Sequence, residues 1–393
     1  MITRYFGMDT HKKFVMVAAV NEHQAVVQPA LKVSMNNFKA WVAETLSAQD
    51  QVVIEVTANS WHLYDMLVEY AGTVIVANPY KTRLIAEARI KTDKVDALIL
   101  ARLLAARFIA DVWVPSALVR QQRALASHRD ALARQRTQVK NRLHGLLFRH
   151  NLSCPHPNLF TRNGRDWLVS LDLPATEQLS LAHLLRQLDL LEEQVADSEQ
   201  MIAQLAAQDE RIPYLLQIPG IGCFTAFAIL ATIGNIERFD SPKRLAAFAG
   251  LVPSRHQSGN KAYNGHITKA GAPILRWLMV EAARVAIRFD PHWRQVYDRI
   301  RQRRGDSIAV VAVARKLLVV IWHLLTHKTA YHHLQPQTFV SKLQNWAWRI
   351  GREQLPTSSS AEFVTHKLLQ LGFLQLAQQL QTDRKGKLRV LAA

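Results

Sequence analysis

An apolar residue recurs at every seventh position through an arginine-rich segment in the middle of the chain. The positions are Leu118, Leu125, Leu132, Val139 and Leu146. A seven-residue apolar repeat keeps one face of an α-helix apolar over many turns. A second segment has a three-four apolar spacing, broken at Ser198, at Leu181, Leu184, Leu188, Leu191, Val195, Ile202 and Leu205. We therefore predict a coiled-coil helical region over residues 116–212, formed either as an antiparallel pair or as a dimer seam.

The first 115 residues follow a different pattern. Residues 4–20 predict two strands joined by a polar turn, and residues 51–56 and 72–77 predict further short strands. Helical patterns cover residues 37–47, 60–70 and 93–107. Strands that alternate with helices after an opening hairpin predict a mixed α/β domain that ends near Pro115.

The charge balance indicates the kind of partner. Lys and Arg outnumber Asp and Glu by 49 to 31, an excess typical of proteins that bind a polyanion. Nucleic acid is the leading candidate and an anionic membrane is the rival. Arg315 and Lys316 interrupt the most apolar run, residues 308–325, which favours a buried helix over a membrane span. Two cysteines without a metal or disulfide spacing, and no apolar leader, predict a cytoplasmic protein.

Four acidic residues occupy unusual positions in the α/β region. Asp9 lies inside a predicted strand and Glu55 ends another, where an acid is costly unless it is paired or binds a metal. Asp93 and Asp96 share one face of a predicted helix. Each has an ordinary alternative: a solvated face, a turn cap or a lysine pair. Together they have the order of an RNase H-like nuclease core, in which several carboxylates hold divalent cations.

A glycine-rich turn opens the third region, residues 213–330. The sequence IPGIG, which contains Gly220 and Gly222, is similar to a helix-hairpin-helix element. Its exposed N–H groups and the following helix would bind a nucleic-acid phosphate. A simple turn between two helices is the alternative.

A serine further along this region is a candidate nucleophile. Ser258 precedes a glycine in a predicted loop that contains Arg255, Lys261 and Lys269, and the predicted helix that follows bears Arg276. Cations beside a nucleophile would stabilise a phosphate transition state. By composition alone a Ser-Gly pair is more often a turn. Residues 331–393 form a Gln-rich, predicted helical tail with no assigned role.

Taken in order, the motifs resemble those of the IS-one-ten (IS110) family of insertion-sequence transposases, which includes the Piv invertase. They are Asp9, Glu55, KTDKVDA, IPGIG, AAFAGLVP, QSG and ITKAGAPILR. The resemblance covers roughly residues 1–327 and departs after Glu55, where VTAN replaces a turn that usually has a glycine. It implies an RNase H-like, RuvC-type domain over residues 1–115, a coiled-coil middle and a mainly helical C-terminal transposase domain.

The resemblance also implies roles for individual residues. The DEDD carboxylates fall on Asp9, Glu55, Asp93 and Asp96, which would bind Mg²⁺, and the catalytic serine falls on Ser258. Such proteins recombine DNA through a serine–DNA intermediate, with the two domains meeting between protomers of a dimer or tetramer. Many use a noncoding guide RNA, which the basic residues 78–150 would contact.

The leading hypothesis is therefore a Mg²⁺-dependent DNA recombinase that moves its own insertion sequence. One alternative is a RuvC-like junction nuclease that uses a metal-activated water and needs no serine. The other is a non-catalytic nucleic-acid-binding protein in which the acids have a structural role.

Overall fold

The computed structural model describes residues 3–85, 92–258 and 261–391. The chain forms two compact units, Met1–Ser116 and Ala117–Ala393. The sequence-based boundaries within the second unit, at residues 212 and 330, remain predictions.

The first unit is built on a five-stranded mixed sheet. Its elements are β1 (Tyr5–Thr10), β2 (Phe14–Val20), β3 (Val26–Ser34), α1 (Met35–Thr45), β4 (Gln51–Glu55), α2 (Ser60–Leu67), β5 (Thr73–Ala77), α3 (Pro79–Ile85) and α4 (Asp93–Ala105). The strand order is β3-β2-β1-β4-β5. The first three strands pair antiparallel, and β1, β4 and β5 pair parallel. The predicted mixed α/β fold is confirmed, with β3 as an edge strand that the sequence pattern did not predict.

The two faces of the sheet pack against different helices. Side chains alternate between faces along a strand, so Phe6 and Met8 join the core shared with α1 and α2. On the other face Val53 packs with Leu100 of α4. Gly7 pairs with Val53 and therefore lies on this second face. Asp9 and Glu55 are each two residues further along their strands, so they lie on the same face. The fold therefore directs both strand acids toward the face that α4 covers.

The second unit begins with two long helices. Its elements are α5 (Ala117–Arg149), α6 (Arg162–Val169), α7 (Ala175–Ala207), α8 (Ile212–Leu216), α9 (Cys223–Ile233), α10 (Pro242–Phe248), β6 (Pro253–Ser258), β7 (Lys261–Ile267), α11 (Pro273–Phe289), α12 (Pro291–Arg304), α13 (Asp306–His327), α14 (Pro336–Ile350), α15 (Ser360–Gln370), α16 (Leu374–Gln378), β8 (Leu380–Thr382) and β9 (Leu388–Val390), with short 3-10 turns at Ile236–Arg238 and Arg352–Gln354.

Helices α5 and α7 pack against each other as an antiparallel pair within one chain. Ion pairs join their opposite ends, as shown by Arg129–Glu199, Lys140–Glu192 and Arg149–Glu177. The last three positions of the seven-residue repeat, Leu132, Val139 and Leu146, are buried, whereas Leu118 at its start is 58% exposed. Ser198, which interrupts the spacing on α7, is also buried, and its hydroxyl donates to the Gln194 carbonyl at 2.8 Å.

One continuous hydrophobic core holds the rest of the second unit. Helix α13 supplies many of its residues and is, within the described ranges, the one helix long and apolar enough to cross a membrane; 50% of that apolar window is buried. The tail that had no assigned role enters the same core through Phe339, Trp346 and Phe363. Trp346 Nε1 donates to the Ala203 carbonyl of α7 at 2.9 Å. The tail also adds a small β8–β9 hairpin that was not predicted.

The region around the candidate serine differs from the predicted loop. Strands β6 and β7 form an antiparallel hairpin in which Ser258 pairs with Lys261. Residues 259 and 260 lie outside the described residues. The sequence SRHQS lacks the alternation of apolar and polar residues that predicts a strand. Among its described side chains, Arg255 and Gln257 are exposed.

Candidate active site

Asp9 and Asp93 meet across the interface between β1 and α4. His11, in the turn after β1, contacts both carboxylates: its Nε2 lies 3.1 Å from Asp9 Oδ2 and 3.4 Å from Asp93 Oδ2. The side chain of Asp9 is 18% exposed and that of Asp93 is 46% exposed. The group is therefore anchored in the sheet and open to solvent on the side of α4.

The local sequence explains why α4 presents its acids at this point. Thr92 precedes the helix, and its side chain accepts a hydrogen bond from the backbone N–H of Val95. Asp93 and Asp96 occupy the first helical turn, where the helix dipole stabilises negative charge. Lys91 of the KTDKVDA motif lies outside the described residues.

The electrostatic environment of Asp9 disfavours its charged form. Burial raises the pKa of the Asp9 carboxyl, and His11 opposes this effect by contact and by charge. The negative charges of Asp93 and Asp96 raise the Asp9 pKa further, so its value lies above the ordinary one. A bound cation would remove this penalty by neutralising the group of carboxylates.

Glu55 ends β4 and Asp96 lies in the first turn of α4, but neither belongs to the tight group of Asp9, His11 and Asp93. Met8 of β1 pairs with Ile54 of β4 in parallel register, so Asp9 and Glu55 follow at adjacent strand ends. Among the described residues, the ligand atoms that lie within 4.8 Å of one another are those of Asp9, His11 and Asp93. Two of the four predicted acids, Asp9 and Asp93, thus belong to this tight group, and the third member is His11.

The segment after Glu55 forms a hydrogen-bonded turn in spite of its departure from the family pattern. Thr57 Oγ1 lies 3.1 Å from Thr10 Oγ1 at the end of β1 and donates to Asn59 Oδ1 at 2.8 Å. Ser60 Oγ donates to the Thr57 carbonyl at 2.9 Å. These contacts tie the end of β4 to the end of β1, the two strand ends that carry the acids.

His11 is the residue that the sequence patterns missed. It follows Asp9 by two positions in a polar turn, and a single histidine there resembles an ordinary surface residue. The available signal was an acid near the end of a strand, Asp9, with a histidine two residues later in the following turn. Only the packing of α4 on β1 shows that a second acid reaches the same ring.

The chemistry of this donor set fits a divalent metal ion. Two carboxylates and one imidazole supply three ligand atoms from one strand end, one turn and one helix N-terminus, and carboxylate oxygens are the usual ligands of Mg²⁺ and Mn²⁺. Glu55 ends the strand next to β1, and Asp96 lies three residues after Asp93 in the first turn of α4. This fit supports a site for a divalent metal ion.

The predicted glycine hairpin connects α8 to α9. Gly220 has a φ of +80°, and a β-carbon added there would lie 2.4 Å from the Ala282 carbonyl oxygen of α11. Gly222 precedes α9 in an extended conformation and faces open space. Gly220 is therefore required for close packing against α11, whereas Gly222 lies half-exposed at the start of α9.

The cations predicted around the serine have different surroundings. Arg276 donates to the carbonyls of Ala249 and Lys269, both at 3.1 Å, and so connects the end of α10 to the segment before α11. Arg255 and Lys269 are exposed. The side chains of Ser258 and Lys261 lie outside what the structure describes. Nucleic-acid contact by these residues remains a prediction.

Comparisons with known proteins agree on one family. The model described as "Transposase IS116/IS110/IS902 family" matches residues 213–298. A second model, the DEDD transposase of the IS110 group, matches residues 6–151, which include Asp9, Glu55, Asp93 and Asp96. The first match lies within the second unit, whereas the second match covers most of the first unit and continues through α5 of the second.

Two bacterial relatives extend the similarity across most of the chain. The transposase for insertion sequence element IS1111A of Coxiella burnetii is 30% identical over 298 residues, covering 71% of this chain and 79% of the relative. A probable family 20 transposase of Pseudomonas aeruginosa is 28% identical over 344 residues, covering 83% of this chain and 97% of the relative. This chain therefore belongs to the IS110/IS116/IS902 family of insertion-sequence transposases.

Proposed function

We propose that this transposase cuts and rejoins DNA with two chemical groups, a divalent metal site in the first unit and a serine nucleophile in the second. The metal site would comprise Asp9, Glu55, Asp93 and Asp96, and the nucleophile would be Ser258. The observation that carries the proposal is the approach of Asp9 and Asp93 to within reach of one ion. Acids so distant in sequence converge only because α4 packs on β1.

The architecture of the first unit supports an RNase H-like, RuvC-type assignment. A central β1 pairs antiparallel with β2 and parallel with β4 in the order β3-β2-β1-β4-β5. The acids lie at the ends of the two central parallel strands and at the start of a helix that covers them. Ligand sites in open α/β sheets form where the strand order reverses direction. The order reverses at β1 here, because β2 and β3 lie on one side of it and β4 and β5 on the other.

Each residue would have a distinct task in strand transfer. Bound Mg²⁺ would polarise the scissile phosphate and neutralise its developing charge. Asp9 and Asp93 would hold the ion on rigid elements. Ser258 Oγ would attack phosphorus, forming a serine–phosphate bond while the bond to the departing deoxyribose oxygen breaks. Because one phosphoester replaces another, the strand can be rejoined by a DNA hydroxyl that displaces the serine.

The partners in this proposal are nucleic acids in the bacterial cytoplasm. DNA ends and target would be held partly by the α8–α9 hairpin, with Gly220 and Gly222, and by Arg255, Lys261, Lys269 and Arg276. A noncoding guide RNA would contact the basic segment of residues 78–150, which has fifteen Lys and Arg against five acids. Exposed arginines of α5, such as Arg134 and Arg149, supply part of that charge. A homodimer or homotetramer would bring two DNA segments together.

The covalent intermediate provides the test. Purified full-length protein is mixed with labelled element-end DNA and Mg²⁺, and protein–DNA adducts are measured on denaturing gels. We expect Ser258→Ala to abolish the adduct and keep DNA binding, while Ser254→Ala, on the same strand, retains both.

Other outcomes would favour the alternatives. An adduct formed by Ser258→Ala would overturn the serine assignment. Junction cleavage without rejoining by that variant would favour a RuvC-like nuclease. Unchanged strand transfer by a variant with both Asp93→Asn and Asp96→Asn would overturn the metal site.

A further inference from the structure

The tight group at the end of β1 includes a side chain that the four-carboxylate site does not use. We propose that His11 is itself a ligand of the divalent ion, through Nε2, and that it shifts the metal preference of the site from Mg²⁺ toward Mn²⁺. The inference rests on the proposed metal site and adds a nitrogen ligand to it.

The distances around Nε2 match the spacing of metal ligands. Two ligands at about 2.1 Å from an octahedral ion, at right angles to each other, lie about 3.0 Å apart. His11 Nε2 lies 3.1 Å from Asp9 Oδ2 and 3.4 Å from Asp93 Oδ2. All three ligand atoms lie within 4.8 Å of one another, which permits one ion to contact all of them. Small rotations of these side chains would therefore let all three atoms bind one ion.

The imidazole ring is oriented by contacts other than the carboxylates. It stacks on the Phe14 ring with centroids 4.5 Å apart and an interplanar angle of 28°. The backbone N–H of His11 donates to the Phe14 carbonyl at 2.9 Å, which closes the turn between β1 and β2. Lys32 Nζ lies 4.0 Å from the centroid of the same Phe14 ring. The stacking and the turn fix the plane of the imidazole, so Nε2 is directed at the two acids before any ion binds.

A nitrogen ligand changes which ion the site prefers. Mg²⁺ strongly favours oxygen ligands, whereas Mn²⁺ and the later divalent metals bind imidazole more readily. A site of carboxylates alone would discriminate little between Mg²⁺ and Mn²⁺. With His11 as a ligand, removal of the imidazole should weaken Mn²⁺ binding more than Mg²⁺ binding.

Electron paramagnetic resonance of Mn²⁺ provides a direct readout that is independent of activity. Full-length protein is titrated with Mn²⁺, and electron spin-echo modulation tests for nitrogen coupled to the bound ion. We expect nitrogen coupling in the wild type and its loss in His11→Ala and His11→Gln. The dissociation constant for Mn²⁺ should rise about tenfold or more, with a clearly smaller change for Mg²⁺ measured by competition.

Matched variants separate this inference from the proposed site. His23→Ala removes an exposed histidine at the other end of β2 and should change neither coupling nor affinity. Asp9→Asn should abolish binding; if it binds Mn²⁺ like the wild type, the proposed metal site itself is wrong. Asp9-dependent Mn²⁺ binding without nitrogen coupling overturns only the role of His11.

Two further results complete the test. Tighter binding of both ions by His11→Ala would also overturn the inference, because it would show that the imidazole occupies the position of the ion as an ion-pair partner. Thermal unfolding in EDTA checks that each variant folds. His11→Gln keeps a polar side chain of similar length, so it serves as the second variant if His11→Ala is unstable.

Discussion

Gly7 of β1 and Ala97 of α4 lie so close together that a β-carbon added at Gly7 would stand 2.1 Å from the Ala97 carbonyl oxygen. The same β-carbon would lie 2.4 Å from the Ala101 backbone nitrogen. The absence of a side chain at Gly7 therefore allows the helix to rest directly on the strand. Asp9 is two residues along the strand, on the same face, and Asp93 is one helical turn before Ala97. The close approach at Gly7 thus brings the two acids together.

Gly7→Ala should separate α4 from β1. The added methyl group meets backbone atoms, which cannot rotate away, so we expect the free energy of unfolding to fall by about 3 kcal/mol. The variant should also bind Mn²⁺ more weakly. Chemical denaturation measures the first effect, with Gly145→Ala as the control. A β-carbon at Gly145 of α5 meets nothing within 4 Å, so that change should stabilise the helix by about 0.5–1 kcal/mol. Equal effects of the two substitutions would contradict this account.

Asp9→Asn should make the metal-free protein more stable. Burial and the neighbouring Asp93 and Asp96 raise the Asp9 pKa, so the charged carboxylate at neutral pH is held in an unfavourable environment. A neutral amide of the same shape removes this repulsion. We expect a higher melting temperature in EDTA and no further rise when Mn²⁺ is added, whereas the wild type should gain stability from the metal. A lower melting temperature in EDTA would show that the contact with His11 outweighs the repulsion.

Asp50→Asn should destabilise the first unit in a pH-dependent way. Asp50 is 1% exposed; it accepts from Arg4 Nε at 2.8 Å and from the Ser47 backbone N–H at 2.7 Å. Burial alone would raise the Asp50 pKa, but the hydrogen bonds from Arg4 and Ser47 outweigh it, and the pKa lies below its ordinary value. Removing one charge of this pair should cost about 3 kcal/mol at neutral pH.

The sign of the pH effect follows from that direction. The pKa of Asp50 is lower in the folded state than in the unfolded state. The stabilisation that its carboxylate provides is therefore fully present above the unfolded pKa of about 3.9 and is lost as the pH falls toward the folded pKa. The difference in unfolding free energy between wild type and Asp50→Asn should therefore stay constant from about pH 5 to 8 and shrink below about pH 4. Glu44→Gln, on the exposed side of α1, should show no such difference.

The two glycines of the α8–α9 hairpin should respond differently to alanine. Gly220 has positive φ and contacts the backbone of α11, so Gly220→Ala should lower the free energy of unfolding by about 2–3 kcal/mol. Gly222 has extended φ and open space around it, so Gly222→Ala should be nearly neutral. If the hairpin binds phosphate, Gly222→Leu should weaken DNA binding without unfolding the protein. Unchanged affinity of Gly222→Leu would exclude this helix start as a phosphate contact.

Lys342, a buried cationic residue, should cause a second pH-dependent change in the free energy of unfolding. Its Nζ donates to the carbonyls of Leu216 and Ile218 at 2.9 and 2.6 Å, and burial lowers the Lys342 pKa to about 7. The unfolded value is about 10.4, so between these values the unfolded state binds more protons and the free energy of unfolding rises with pH. The rise should be smaller in Lys342→Met, as measured by denaturation from pH 7 to 10. Parallel pH curves would show that Lys342 keeps an ordinary pKa.

Much of the secondary structure follows from local patterns in the sequence. Helix α4 was predicted from residue 93 and begins there, and the seven-residue repeat marks the helix that became α5. Strand β3 was missed because it is an edge strand with many exposed residues and a proline, Pro29, which an edge tolerates. The β6–β7 hairpin was missed for a similar reason. In both cases the sequence lacks the alternation of apolar and polar residues that makes a strand recognisable.

Some residues of the candidate site could also be predicted from the sequence and others could not. Asp9, Asp93 and the family to which the chain belongs were evident from residue types in order along the sequence. His11 was not, because its partnership with Asp93 depends on the approach of α4 to Gly7, and no local pattern encodes a contact between elements so far apart. The tail is a parallel case, since Trp346 packs against α7 across a long interval of sequence. The sequence by itself determined which helices and which acids this protein has, because periodicity and residue chemistry are local. Only the tertiary structure decided which of those residues meet, because that depends on how closely one backbone can approach another.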